Sequence, residues 1–255
     1  MALMDEFKKE REEIKSRPFK ERMAYYWGYY KWHAIAIAAG VFFLGSLIYH
    51  YVTMKEIVLY VALPNITLVD DAEQKIHDVF LMKEGLNTKE EDITLDDAIY
   101  VSLDEPTQET MAGTQKVAAL IYSKGLDMIL TRSDYFTNYA YQEVFLSPEE
   151  YLSAEQFAAF REAGRIYYID LATLASFEAD MADGTHDESV PIPDPTDPDA
   201  MKEPRAAGII VDEIPLLDTY AICADEGPYM IGIPTNSQHV TLSAAFLDFL
   251  LNTRP

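Results

Sequence analysis

The chain has 255 residues and a formal net charge of −23, from 43 acidic and 20 basic residues. So acidic a chain repels nucleic acid, which is excluded as a partner. Its one cysteine, Cys223, excludes an intrachain disulfide and, between Ile222 and Ala224, reads as a small apolar group rather than a nucleophile.

Residues 4–31 read as helical. Asp5 to Lys15 is charged, with Phe7 and Ile14 as the few apolar points. Ser16 would cap a second helix, with Pro18 in its first turn. Phe19, Met23, Tyr26 and Tyr30 then share one helical face. That face suits a helix lying on the inner leaflet before the chain turns into the membrane.

From Trp32 to Val52 there is no Lys, Arg, Asp or Glu. A helix rises about 1.5 Å per residue, so roughly 20 residues cross a hydrocarbon core of about 30 Å. Tyr25, Tyr26, Trp27, Tyr29, Tyr30 and Trp32 form an aromatic belt before the span, and Tyr49 and Tyr51 lie at its far end. Eight basic residues precede the span, and Lys55 follows it. The positive-inside rule therefore predicts a cytoplasmic N-terminus and an extracytoplasmic C-terminal domain in the cell membrane. No small-x-small cleavage site follows the apolar run, so a retained signal anchor is expected rather than a cleaved leader. The expected organisation is a juxtamembrane segment over 1–31, a transmembrane helix over 32–53 and a domain over 54–255. Residues 54–255 carry 37 acidic and 12 basic side chains, the composition of an acidic, solvated ectodomain.

Beyond the span the pattern alternates. Strands are expected over 56–62, 98–103 and 127–131, with helices near 70–85 and over 105–125 between them. That order, β-α-β-α-β, predicts an α/β fold with a parallel sheet. Two short helices are expected over 146–152 and 153–164, a strand over 165–170 and a helix over 171–181. Prolines at 191, 193, 195, 198 and 204 make 184–204 an extended loop. Strands over 208–211 and 229–233 and a helix over 241–251 close the chain.

Little chemistry announces itself. None of His33, His50, His77, His186 and His239 has a metal-ligand partner at helical spacing, and no glycine-rich phosphate loop is present. No catalytic residue, metal or cofactor is expected. Asp194-Pro-Thr-Asp-Pro-Asp199 has the acid density of a calcium loop but lacks its central glycine and closing glutamate, and reads as solvated. Asn65-Ile-Thr67 matches a glycosylation triplet that carries little weight. The candidate binding surface follows the carboxyl end of the strand at 127–131, where open α/β sheets present ligands. There Ser133, Asp134 and Asn138 offer hydrogen bonds. Tyr135, Phe136, Tyr139 and Tyr141 offer rings to a sugar or peptide, or else pack a junction between lobes.

Three segments, QKVAALIYSKGLDMILTR (115–132), YFTNYAYQEVFLSPEEYL (135–152) and YMIGIPTNSQHVTLSAAFLDFLL (229–251), carry a resemblance over roughly residues 56–252. Their pattern resembles extracytoplasmic solute-binding domains of the type 2 periplasmic-binding-protein class. The basic, aromatic N-terminus with one span resembles membrane-anchored proteins of Gram-positive anaerobes. The resemblance implies a periplasmic-binding-like α/β ectodomain, here with a trimmed second lobe. It implies non-enzymatic binding of a small solute. The alternative is a degenerate binding fold serving as an interaction module for an envelope protein in a membrane complex.

Overall fold

The computed structural model of the chain describes residues 14–69, 71–103, 106–176 and 191–254. The expectations for 1–13, for residue 70 at the start of the helix expected near 70–85 and for 177–190 lie outside these. The chain divides into two compact units, Met1–Met54 and Lys55–Pro255.

The first unit is dominated by helix α1 (Phe19–Thr53), 35 residues long. Pro18 is its N-cap rather than a residue of its first turn, because the fixed φ of proline suits the helix entrance. The separate interfacial helix expected before the span is not seen: Phe19 to Thr53 is one uninterrupted rod. Nothing in the sequence between Tyr26 and Trp32 breaks a helix, since Gly28 costs only about 1 kcal/mol relative to alanine. Within α1, Tyr30–Tyr51 is 22 residues long with mean hydropathy 1.7 and is long and apolar enough to cross a membrane.

The second unit is mixed α/β. Strands β1 (Glu56–Ala62), β3 (Glu91–Asp96) and β4 (Met128–Thr131) are parallel, with β1 in the middle. Strand β8 (Tyr229–Gly232) pairs antiparallel with β4, β6 (Pro204–Val211) with β8, and β5 (Ile166–Asp170) with β6. The order across the sheet is β3-β1-β4-β8-β6-β5, and β2 (Ile66–Leu68) pairs with β7 (Ala221–Cys223) in a separate ribbon. The sheet is thus parallel over the βαβαβ portion and antiparallel beyond it. No second lobe separates from this unit among the described residues.

Alternation along the strands sends side chains to two faces. Leu59, Val61, Met128, Leu130, Tyr229 and Ile231 enter one core, shared with Phe80 of α2 (Ala72–Glu84) and with Phe246 and Phe249 of the closing helix Val240–Asn252. Ala62, Ile129, Ala207 and Met230 enter the other, beneath Val117 of α3 (Gln108–Tyr122) and Phe136 of α4 (Tyr135–Tyr141). Helix α5 (Ala154–Glu162) adds Phe157 against Ile166 and Ala206.

The second strand of the parallel core is misplaced in the sequence reading. It runs over Glu91–Asp96, and 98–103 is irregular. Ile99 and Val101 are buried as a strand's residues would be, which is why the apolar pattern misleads. The reason lies in a side chain: the Asn65 amide donates to Val101 O at 2.8 Å and accepts from Val101 N–H at 2.9 Å. Val101 gets its backbone partners from an amide side chain, and Ile99 O gets its partner from the Asn65 N–H at 2.9 Å, instead of from a sheet. The true strand carries acids because it is an edge, where charge blunts unwanted pairing.

Candidate functional site

The chain leaves β1 toward β3 on one side and later returns as β4 on the other. The loops after β1 and β4 therefore part company at the carboxyl edge, the switch point where open α/β sheets bind ligands. Thr131 at the end of β4 donates its hydroxyl to Pro64 O at 2.9 Å and accepts the Ser133 N–H at 3.0 Å, stitching the two loops together. Asn65 sits beside them in the left-handed region (φ 59°), which asparagine tolerates. Besides its two bonds to Val101, its amide donates to Asp225 at 2.7 Å. Its side chain is buried and fully engaged, so it is a structural hub and a poor glycosylation acceptor.

The residues singled out from the sequence divide by depth. Asp134 is exposed and Asn138 is half-buried, bonded through its Oδ1 to the Gln142 amide at 2.8 Å. Ser133 is buried, its oxygen accepting the Tyr135 N–H at 3.3 Å. Phe136 is fully inside, stacked on Phe145 at 4.7 Å and edge-on to Tyr167 at 4.9 Å. Tyr141 is buried and its hydroxyl accepts the Asp170 N–H at 3.4 Å. Tyr139 is buried against Tyr135, with ring centroids 5.1 Å apart, and its hydroxyl meets no partner among the described residues. Burial, and then the neighbouring Tyr135, push the Tyr139 hydroxyl well above its usual pKa. Burial lifts Tyr167 to about 12, against the opposing hydrogen bond from Thr137.

Tyr135 is itself buried, but part of it borders a groove. With Ser102, Leu103, Pro106, Thr110, Met111, Thr114 and Gln115 it lines an open groove of about 300 Å³ between α3 and the segment preceding it. Leu103 and Met111 are more than half exposed there. The groove exists because the chain passes tightly under α3. A Cβ on Gly113 would lie 2.0 Å from the Tyr100 carbonyl, so only glycine fits. Such a groove is at the small end of small-molecule sites, apolar with a few polar groups.

A second polar constellation sits at the opposite end of β4. The buried Asp127 carboxylate accepts the Tyr60 N–H at 2.9 Å and the Ser237 hydroxyl at 2.7 Å, and its two oxygens lie 3.2 Å from His239 Nδ1. Serine and histidine both address the acid. The hydroxyl proton is given to Asp127, not to the imidazole, so the group ties β1, β4 and the entrance to the closing helix together. The sequence reading assigned Asp127 to the start of a strand and missed this role. The signal was an acid directly before the apolar run Met-Ile-Leu. On β3, Asp96 takes the Tyr60 hydroxyl and lies 2.6 Å from Lys116 Nζ.

In the acidic proline loop, Asp194 accepts from the Thr196 N–H at 2.8 Å and from its hydroxyl at 2.7 Å, and Pro195 O accepts the Tyr168 N–H of β5 at 2.8 Å. Among the described residues, no three His, Cys, Asp or Glu side chains converge as metal ligands. Compared with known proteins, the chain matches no family model, no curated protein and no solved structure.

Proposed function

We propose that this chain is a single-pass membrane protein holding an acidic α/β binding domain outside the cytoplasm, and that the domain takes a small solute, a sugar or a short peptide, in the groove beside Tyr135. The groove carries this reading: it joins Tyr135 of the aromatic segment to apolar Leu103 and Met111 and to the hydroxyl and amide groups of Thr114 and Gln115. The resemblance to type 2 periplasmic-binding domains supports it, as does the basic flank before Tyr30–Tyr51. The role is binding rather than catalysis.

The test is a thermal-shift screen of the full-length protein in detergent against mono- and disaccharides and di- and tripeptides. A ligand of the folded state raises the melting temperature. The reading expects a stabilising compound whose effect disappears in Tyr135→Ala. A screen in which nothing stabilises, or in which Tyr135→Ala leaves the shift intact, overturns it.

A second reading, an interaction module for another envelope protein, draws on a separate observation. Phe136, Tyr139 and Tyr141 give their rings to the core, and Lys55–Pro255 is one compact unit, so a solute is not enclosed between two lobes. Co-purification of a defined membrane partner that Leu103→Asp releases would favour it.

A further inference from the structure

Arg132 is anomalous. It leaves β4 at the carboxyl edge, half-buried, with its guanidinium 4.5 Å over the ring of Tyr229. Among the described residues, its buried Nε meets no acceptor and its guanidinium pairs with no carboxylate. Every other described lysine and arginine of Lys55–Pro255 is exposed or ion-paired. This happens in a unit where acids outnumber bases threefold. A buried donor without a partner costs about 1–3 kcal/mol, and more when charged, so its retention needs a reason.

The surroundings hold the guanidinium in place while leaving its Nε without a partner. Register pairs Thr131 with Met230, so Arg132 lies opposite Tyr229, on the sheet face of Leu130 and away from the Tyr135 groove. The Tyr229 hydroxyl donates to Asp218 at 2.8 Å, which fixes the ring beneath the guanidinium. Asp218, which holds Tyr229, forms no ion pair with Arg132.

We propose that Arg132 anchors the carboxylate of a small organic acid, bound at the switch point on the face opposite the groove. A planar guanidinium matches a carboxylate in a two-bond fork. One cation can balance a monoanion. A phosphate dianion brings a second charge into a strongly negative domain and is disfavoured.

The test uses the full-length protein in detergent, with acetate and benzoate as probes and chloride and inorganic phosphate as comparisons at equal ionic strength. The readout is the arginine side-chain Nε–Hε resonance. The carboxylates are expected to move the Arg132 signal saturably and leave those of Arg161 and Arg254 in place. Arg132→Lys keeps the charge and loses the fork; it is expected to weaken carboxylate-induced thermal stabilisation by about tenfold or more, the loss of one charge-assisted bond. Tyr135→Ala should leave the carboxylate response unchanged, so a failed groove does not touch this inference. No movement of the Arg132 signal, equal movement of all arginines, an equal response to phosphate, or an undiminished response in Arg132→Lys each overturns it. If Arg132→Lys does not fold, the wild-type spectra decide.

Discussion

Asn65 and Asp127 each tie separate segments together through one side chain. Asn65 serves both backbone groups of Val101 and also holds Asp225. Asn65→Ala would leave a buried N–H and carbonyl unmatched, at about 1–3 kcal/mol each. Chemical denaturation should show a loss on the order of 3 kcal/mol, with Asn65→Asp recovering part of it through the retained acceptor. His77 supplies a pH dependence. Its ring nitrogens meet Asp92 on β3 and Asp78 on its own helix, with Lys55 also bonded to Asp92. Burial by itself would lower the His77 pKa, but the two carboxylates outweigh it, and the value lies above the ordinary 6.5. The folded chain thus binds this proton more tightly than the unfolded one. Its contribution is complete below about 6.5 and fades as pH rises through the higher folded value. The stability difference between the wild type and His77→Gln, measured by denaturation across that window, should shrink toward alkaline pH. A constant difference would contradict the assignment.

The elements were legible where periodicity and capping agreed. Helix α5 follows Ser153, whose hydroxyl accepts the Gln156 N–H at 3.2 Å while Gln156 reaches back to the Ser153 N–H. Ser153→Ala should cost about 1 kcal/mol in denaturant unfolding. Helix α3 was legible as a helix but not as one wall of a groove, because Gly113 declares its contact with Tyr100 only once the fold brings them together. Gly113→Ala overpacks that contact and should destabilise by about 1–3 kcal/mol, with weaker solute binding, by calorimetry. Strand β3 was illegible for the opposite reason: its Glu-Asp-Ile-Thr-Leu-Asp pattern is half-polar, as suits an edge, while buried Ile99 and Val101 imitate a strand nearby. Of the candidate site, the aromatic run after β4 was visible, but its folding into helix α4 was not. That all four rings are buried was not visible either, since burial follows from the packing of distant segments onto them.

At the scale of the whole chain, sequence and structure agree on one long apolar helix near the N-terminus and on an α/β unit following it. The proposed topology predicts that a reporter fused after Pro255 is active outside the cytoplasm. It also predicts that the full chain partitions with membranes until detergent is added. The mixed sheet escaped the reading because antiparallel pairing joins segments far apart in sequence: β4 meets β8 about a hundred residues later.

That late insertion has a consequence for biogenesis. Strand β8 lies between β4 and β6, so both neighbours wait with bare edges until the penultimate stretch of the chain has been made. Pairings of such long range form slowly. If the domain is threaded through a translocation channel, it crosses as an open string and zips shut on the far side, centre last. A polypeptide stopped before Tyr229 would offer two adhesive margins to its neighbours and should be recovered in clumps or cleared by proteases.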